Sequence, residues 1–498
     1  MTESSNDDDI IIRDRYRKFI VSGLGRSILT RAFSLGYIVV VTRNIPLDTL
    51  DLMILLTTVQ LIVVRLSSYG LTYSLTQKGI SQGLSKEKIN NIALTTASTG
   101  IPISILASII VSIYLHLSWF NFILYTIVVV AHYLLELVYA LNSVYLDTDI
   151  TLLQQTIYSI VNSISVPLIY LLRENFSSIL IAWSLSYLVT FIPVYKTLIA
   201  LAKHFTLQWT DTKAILKFGF PVYISDMATL AIQKLDIFVL YLFFQEGDTS
   251  LYFYVLRIAV IAQEFFVIIF SGIFPILSKI YTRVSPKEYF ELINSFLRLV
   301  LTFGGIFYFS IYYQSDLAIY LILSKKFING LPILRLILSA YFIRLFSYVL
   351  RPTFKAIGKR REIVFGPLMG NAVRILGIVA FYKLGPFGLA IAISLEIIVL
   401  ASYFIMKLRN RIRFRSYVRV ALYSSLVFLL VNIIPAGSLI LVRVGLCVLM
   451  VMLYVVLLVL IKPLERGDFE LIEKVFGSSL GNRLEFIKVH ISHSSSKS

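Results

Sequence analysis

Cysteine and charge are what this sequence has least of. The 498 residues contain one cysteine, Cys447, which lies within an apolar run. A single cysteine excludes an intrachain disulfide, a cysteine-based metal site and a CxxC redox motif. Charged residues make up 15% of the chain and hydrophobic residues 57%, with a mean hydropathy of +0.82. Soluble globular proteins have about 25% charged and 45–50% apolar residues, so the composition predicts a membrane protein.

The sequence also lacks the motifs of common enzymes. It contains no Walker A phosphate loop and no HExxH zinc motif. The polar segments between apolar runs are short, and the longest outer one, residues 314–330, is itself half apolar. This leaves no room for a folded outer domain or a soluble catalytic domain. We therefore expect a protein that acts within the bilayer, is not an enzyme, and needs no cofactor or bound metal.

Long apolar runs dominate what is present. A run of roughly 20 residues can cross the hydrocarbon core of a bilayer, which is about 30 Å thick. About fourteen such runs occur: 19–42, 49–75, 90–116, 119–145, 151–172, 177–200, 215–243, 250–278, 289–313, 331–354, 363–382, 387–407, 418–436 and 438–461. We predict an all-α polytopic membrane protein with about 14 transmembrane helices. The first run is longer than the apolar region of a signal peptide, so we expect it to be retained.

The basic residues are distributed unevenly between alternate loops. Of the 46 lysines and arginines, 28 lie in the tails and loops on one side of the predicted spans and 5 in the loops on the other. Loops rich in lysine and arginine stay in the cytoplasm. We therefore predict a cytoplasmic-membrane protein with both termini in the cytoplasm. The net charge of +18 is interpreted as a determinant of topology and not as a nucleic-acid-binding surface.

A weak internal repeat divides the chain into halves. Spans one and two, like spans seven and eight, read as a long helix with charge at membrane depth, a polar turn, and a second apolar helix. This layout is typical of transporters built from parallel repeats. We predict two pseudo-symmetric six-helix lobes around a central cavity, plus two extra C-terminal helices. The predicted segments are a cytoplasmic tail (1–18), an N-lobe (19–200), a cytoplasmic loop (201–214), a C-lobe (215–407), two additional spans (408–461) and a cytoplasmic tail (462–498).

The stretch from Lys217 to Arg283 carries a family resemblance. It opens KFGFPVYISDM, has an aspartate in the middle of a span, and closes on Phe-Pro-Ile-Leu-Ser. It resembles the central block of prokaryotic polysaccharide-export flippases in the multidrug/oligosaccharidyl-lipid/polysaccharide (MOP) exporter superfamily. The matching positions are Gly219, Pro221, Asp236, Tyr254, Pro275 and Ser278.

Shorter matches at 42–46, 68–71, 357–360 and 385–392 extend the resemblance over roughly residues 15–410. The sequence departs from the family pattern at Asp51-Leu52, where relatives usually have an aromatic residue and a glycine. The resemblance is also weak over spans three to six.

The resemblance implies a flippase for an oligosaccharide or polysaccharide repeat unit linked to a polyprenyl or dolichyl phosphate or diphosphate. In the related murein-lipid flippases, arginines on the first, second and eighth helices bind the phosphate, because a guanidinium group suits bidentate contact with phosphate oxygens. Alternatively, these cations pair internally or extend to the membrane surface. The candidate head-group residues are Arg26, Arg31, Arg65, Lys234 and Arg257.

Acidic and histidine side chains at membrane depth are candidates for coupling transport to H⁺ or Na⁺. They are Asp226, Asp236, Glu264, His132 and Glu136. Asp226 and Lys234 share one helical face, as do Arg257 and Glu264, so internal salt bridges are the other interpretation.

Two further pairs stand out by their spacing. His132 and Glu136 lie four residues apart on span four, so their side chains share one helical face. They are interpreted either as a proton relay or as a satisfied buried pair. Arg374 and Glu396, on adjacent late spans, are interpreted as a structural pair.

Two other functions remain open from the sequence. The first is an ion-coupled multidrug antiporter of the same superfamily, although a basic cavity argues against the export of organic cations. The second is a membrane-embedded polysaccharide ligase or glycosyltransferase, which usually needs a large outer loop or a cytoplasmic domain with paired acids. The expected partners are the lipid-linked glycan and membrane lipids, with no nucleic acid, and we expect a monomer.

Overall fold

The computed structural model describes residues 30–75, 84–144, 148–195, 206–271 and 285–409, with a few isolated positions outside these ranges. These residues are almost entirely helical. The helices are α1 (30–44), α2 (Leu47–Ser67), α3 (Leu71–Ser74), α4 (Lys86–Tyr114), α5 (Trp119–Val144), α6 (Thr148–Arg173), α7 (Phe176–Thr190), α8 (Trp209–Phe243), α9 (Asp248–Ser271), α10 (Pro286–Tyr313), α11 (Ser315–Ala318), α12 (Leu331–Ala356), α13 (Arg360–Phe381) and α14 (Gly385–Leu408). Short turns of other helix types follow α7, α11 and α13.

The apolar runs of the sequence become these helices. Each of the first twelve predicted spans overlaps a long helix, which confirms the all-α fold. Nine segments of the described chain are long and apolar enough to cross a membrane, the last of them covering α13 and α14 together. The predicted spans 418–436 and 438–461 lie outside the described residues, so the total of 14 stays a prediction.

The outer surfaces of several helices are apolar. On α4, Ile110 and Ile113 are 60% and 69% exposed, and on α13, Leu376 and Val379 are 68% and 67% exposed. A monomeric soluble protein rarely exposes contiguous apolar surface of this kind, because water penalises it. In a bilayer the same side chains contact lipid tails, as a multi-pass membrane protein requires.

The chain divides into two compact units, Met1–Ser250 and Leu251–Ser498. In the first unit, α8 packs against α2, α3 and α4, and α7 packs against α5 and α6. In the second, α12 packs against α10, α13 and α14. These contacts place α8 with the first unit, whereas the sequence assigns it to a C-lobe beginning at residue 215. The arrangement of six-helix lobes around a cavity stays a prediction.

The core of the first unit brings charged residues of α2 and α5 together. Val64 on α2 and Leu137 on α5 are buried in one apolar cluster. Arg65 follows Val64 in the chain, and Glu136 precedes Leu137. Packing of the two apolar faces therefore fixes the separation of the adjacent charged side chains.

Small polar side chains hold neighbouring helices close. The hydroxyl oxygens of Ser67 on α2 and Ser104 on α4 lie 3.0 Å apart, and those of Ser165 on α6 and Ser186 on α7 lie 3.1 Å apart. Small residues allow the backbones of membrane helices to approach, and their hydroxyl groups bond across the interface.

Glycines of the family pattern have structural roles. Gly70 has φ +72° between α2 and α3, and a Cβ there would lie 2.8 Å from Cβ of Tyr223. Tyr223 on α8 in turn donates a hydrogen bond from its hydroxyl to the carbonyl oxygen of Leu66 at 3.0 Å. Gly219, one turn earlier on α8, faces the hydroxyl of Ser74 on α3 so closely that a Cβ would clash with it. These glycines permit the approach of α8 to α2 and α3.

Replacing Gly219 by alanine is expected to destabilise the first unit. The added Cβ would displace the buried Ser74 hydroxyl from its 3.1 Å hydrogen bond to the Gly70 carbonyl oxygen, and overpacking of this kind costs about 1–3 kcal/mol. Thermal unfolding of the purified protein in detergent measures the effect. The matched control is Gly36→Ala, since a Cβ at Gly36 has nothing within 4 Å. Equal melting temperatures of the two variants would contradict the assignment.

Candidate functional site

Arg65 and Glu136 form an ion pair between α2 and α5. Nη1 of Arg65 lies 3.5 Å from Oε2 of Glu136. The Arg65 side chain is 48% exposed and that of Glu136 is 16% exposed. The acid is therefore mostly enclosed by the first unit, whereas much of the guanidinium group is accessible.

His132 is bonded to α2 and not to its neighbour on α5. The Gln60 side-chain amide donates to the hydroxyl oxygen of Tyr187 at 3.0 Å, and its nitrogen lies 3.0 Å from Nδ1 of His132. The rings of His132 and Tyr187 also stack at 5.3 Å. His132 therefore contacts Gln60, and Glu136 contacts Arg65, instead of contacting each other. Both partners are on α2, which packs against this part of α5.

Ion pairs also occur in the described part of the second unit. Within α9, Nη1 of Arg257 lies 3.9 Å from Oε1 of Glu264, with side chains 33% and 20% exposed. Between α13 and α14, Nη1 of Arg374 donates to Oε2 of Glu396 at 2.8 Å, with side chains 8% and 12% exposed. Both pairs were expected from the sequence, and both are present.

The three pairs differ in how tightly the arginine is held. Charge-assisted hydrogen bonds between nitrogen and oxygen are usually about 2.7–2.9 Å long, which only the Arg374–Glu396 pair satisfies among them. The pairs at Arg65 and Arg257 are longer and more exposed. The half-exposed Arg65 therefore has room to bind a second anion, whereas Arg374 is closed off by its partner.

The other predicted residues occupy varied environments. Arg26 lies outside the described residues. Arg31 on α1 and Lys234 on α8 are partly buried, and Asp226 on α8 is exposed. Asp236 on α8 is 2% exposed, and its Oδ1 accepts a hydrogen bond from its neighbour's backbone N–H at 2.9 Å. Among the acids that the sequence suggests for ion coupling, Asp236 is the least exposed to solvent.

Sequence reasoning gave no role to Asp51, where the chain departs from the family pattern. Asp51 is 5% exposed, and its carboxylate accepts hydrogen bonds from the backbone N–H groups of Gly247 at 2.6 Å and Ser250 at 2.7 Å. These N–H groups stand at the start of α9, where a helix has unpaired donors and a partial positive charge. Asp51 on α2 thus caps α9 from a distant part of the chain.

Replacing Asp51 by asparagine is expected to destabilise the protein. The amide keeps one acceptor but turns an NH₂ group toward a backbone donor, and hydrogen bonds to charged groups contribute about 1.5–3 kcal/mol each. The melting temperature in detergent should fall by several degrees. Asp48→Asn is the matched control, because Asp48 is an exposed aspartate in the first turn of the same helix. If the two variants have the same melting temperature, the capping role assigned to Asp51 is wrong.

Sequence reasoning also missed the cations of α12. The guanidinium carbon of Arg344 lies 5.5 Å from the ring centroid of Tyr341 and 5.9 Å from that of Tyr348. Its Nη1 donates a long hydrogen bond of 3.5 Å to Oε1 of Gln263 on α9. The available signal was the repeated spacing of basic and aromatic residues along this span.

Comparison with known proteins identifies the fold. No protein-family model matches the sequence, and no curated protein matches it. Among solved structures, the lipid II flippase MurJ in an inward closed conformation matches with a TM-score of 0.67 and 15% identity, over 86% of this chain and 96% of that one. An inward-facing MATE-family multidrug transporter of the MOP superfamily matches with a TM-score of 0.59 and 14% identity, over 77% and 94% of the two chains.

A third match is a MOP-superfamily transporter from Pyrococcus furiosus, described as having a binding pocket of reverse polarity that suggests a different function. It has a TM-score of 0.51 and 13% identity, over 78% of this chain and 92% of that one. These neighbours are transporters and not enzymes. The chain therefore has the fold of the MOP-superfamily transporters, as the sequence resemblance predicts.

Proposed function

We propose that this protein is a flippase, which moves a lipid-linked oligosaccharide or polysaccharide repeat unit across the cytoplasmic membrane by alternating access. The observation that carries the proposal is Arg65 on α2, whose side chain is 48% exposed although it lies 3.5 Å from the carboxylate of Glu136. Ionisable groups at membrane depth are costly unless they meet a partner, water or a ligand. A phosphate or diphosphate between lipid and glycan is a ligand that fits them.

The glutamate partners explain how such a site stays stable without substrate. An isolated buried cation is strongly destabilising, and a nearby carboxylate offsets part of that cost. Glu136 lies 3.5 Å from Arg65, so this arginine can turn toward a phosphate without first breaking a short hydrogen bond to its partner. Arginine suits this exchange because its donors are arranged in a planar fork.

One structural neighbour supports transport of a lipid-linked substrate. That neighbour is the lipid II flippase MurJ. Another neighbour is a multidrug transporter, so an ion-coupled multidrug antiporter is the alternative function. Organic cations would be repelled by Arg65 and Arg257, so we favour the flippase.

Coupling to H⁺ or Na⁺ is part of the same proposal. Asp236 is the best placed acid, because it is 2% exposed and a change in its ionisation would change the energy of the first unit. Glu136 and Glu264 would instead act through the arginines they contact. His132 and the exposed Asp226 are weaker candidates for this role.

The experiment is complementation of a strain that relies on this gene for glycan export. Arg31→Ala, Arg65→Ala and Arg257→Ala are each scored against membrane expression. The control is Arg43→Ala, since Arg43 is an exposed arginine in the last turn of α1, at the end of the first predicted span. We expect each of the first three to reduce export by about tenfold or more, which is the effect of losing about 1.4 kcal/mol of binding. Normal export by all three at normal expression would contradict the proposal.

A further inference from the structure

One face of α12 carries three cations that the proposed site does not include. Arg344, Arg351 and Lys355 are separated by seven and then four residues. Residues at these spacings lie on one side of an α-helix, and the three extend over about 16 Å along its axis at 1.5 Å per residue. Tyr348 lies on the same face. The result is a row of positive charge along the second half of a membrane-spanning helix.

Arg344 is held in place by its surroundings. Two tyrosine rings, those of Tyr341 and Tyr348, contact its guanidinium group at 5.5 Å and 5.9 Å from their centroids, and Gln263 accepts a hydrogen bond from it. The side chain is partly buried, whereas Arg351 and Lys355 are exposed. Cation–π contacts fix the plane of a guanidinium group without neutralising its charge. Arg344 therefore remains a preorganised cation.

The acids near this row are already engaged. Glu264 pairs with Arg257, and Glu396, which lies within electrostatic range of Arg344, pairs with Arg374. Within the described part of the chain, neither Arg344 nor Arg351 forms a salt bridge. Arg351 lies within electrostatic range of Arg344, and Lys355 within range of Arg351. Like charges so close together repel one another, and an anion bound among them would relieve that repulsion.

A buried donor nearby also lacks a partner. Tyr308 on α10 is 1% exposed, lies within electrostatic range of Arg344, and its hydroxyl has no hydrogen-bond partner in the described structure. Buried hydroxyl groups are nearly always bonded. A buried donor without a partner, close to a row of cations, points to a group that accepts hydrogen bonds and carries negative charge.

We propose that Arg344, Arg351 and Lys355 form a phosphate-binding site on α12, distinct from Arg65 and Arg257, for the phosphate of a prenyl-linked substrate. This inference rests on the proposed function. Lys355 lies at the end of α12 that we predict to face the cytoplasm, because loop 355–362 is basic. On that orientation the site meets the phosphate as it enters from the cytoplasm. Arg351 and then Arg344 continue the site toward the middle of the membrane.

The test is lipid binding by the purified full-length protein in detergent, measured by native mass spectrometry. The probes are a polyprenyl monophosphate, the matching polyprenol without phosphate, phosphatidylglycerol and inorganic phosphate. The variants are Arg351→Gln, Arg344→Gln and Arg344→Lys. Arg361→Gln is the control, since Arg361 is an exposed arginine in the first turn of α13. Because Arg351 is exposed, Arg351→Gln should fold normally even if Arg344→Gln does not.

We expect wild type to bind polyprenyl phosphate above polyprenol and phosphatidylglycerol. Arg351→Gln should weaken that binding about tenfold, Arg344→Lys should weaken it less than Arg344→Gln, and Arg361→Gln should leave it unchanged.

If Arg65→Gln loses binding while the α12 variants bind like wild type, the α12 site is wrong and the proposed function stands. If phosphatidylglycerol binds equally and is lost equally, the site holds bulk anionic lipid and the inference fails. If inorganic phosphate binds as tightly as polyprenyl phosphate, a site for a prenyl-linked phosphate is likewise excluded. If wild type does not prefer polyprenyl phosphate to polyprenol, both the inference and the proposed function fail.

Discussion

Exchanging the charges of Arg65 and Glu136 is expected to give a folded protein that no longer exports its substrate. Arg65→Glu alone places two carboxylates side by side between α2 and α5, so this variant should be unstable. Adding Glu136→Arg restores an ion pair of opposite polarity, and stability should return. The guanidinium group is then carried by the more enclosed position on α5 and a carboxylate by the exposed position on α2, so export should remain at least about tenfold low.

The measurements are the melting temperature in detergent and glycan export normalised to membrane expression. The matched control is the exchange of Lys88 and Asp211, whose Nζ and Oδ2 lie 2.9 Å apart with side chains 38% and 44% exposed. That exchange should change neither quantity. Recovery of both folding and export in the double variant at Arg65 and Glu136 would show that this pair is purely structural.

Breaking the Arg374–Glu396 pair is expected to have the largest effect on stability. The pair is short and enclosed, at 2.8 Å with side chains 8% and 12% exposed. Removing one partner of a buried pair typically costs about 3–5 kcal/mol, because the remaining charge is uncompensated. Arg374→Met and Glu396→Met should therefore each lower the melting temperature sharply. The double variant should recover to wild type or above, since well-packed apolar replacements are often neutral or stabilising.

The control is Lys88→Met, which removes one partner of an exposed pair. Exposed pairs contribute about 0–1 kcal/mol, so this variant should melt close to wild type. A double Met variant at Arg374 and Glu396 that is no more stable than either single variant would contradict the assignment of these residues as one coupled pair.

The sequence predicts the helices well because apolar run length decides whether a segment can cross a membrane. It also predicts pairs within one helix, such as Arg257 and Glu264, since their spacing places them on one face. It fails for His132, whose partner Gln60 is 72 residues away. Periodicity along α5 carries no information about what α2 places opposite it.

Asp51 shows what a departure from a family pattern can mean. The sequence marks the position as unusual, but its hydrogen bonds reach Gly247 and Ser250, almost 200 residues later in the chain. Arg344 shows a second limit, because the tyrosines beside it also fit an ordinary apolar helix face. The sequence pattern shows that Gly70 and Gly219 are small residues. It does not show that they pack against Tyr223 and Ser74, which only the structure reveals.

The central claim is that this protein moves a lipid-linked anion, and reconstitution tests it most directly. Proteoliposomes containing the purified protein would be loaded with a fluorescent polyprenyl-diphosphate oligosaccharide on one leaflet, and its appearance on the other leaflet followed by a membrane-impermeant quencher. We predict translocation by wild type, none by empty liposomes, and a rate at least about tenfold lower for Arg65→Ala. An organic cation tested in the same liposomes should not be moved. Transport of the organic cation, with no movement of the lipid-linked oligosaccharide, would contradict the claim.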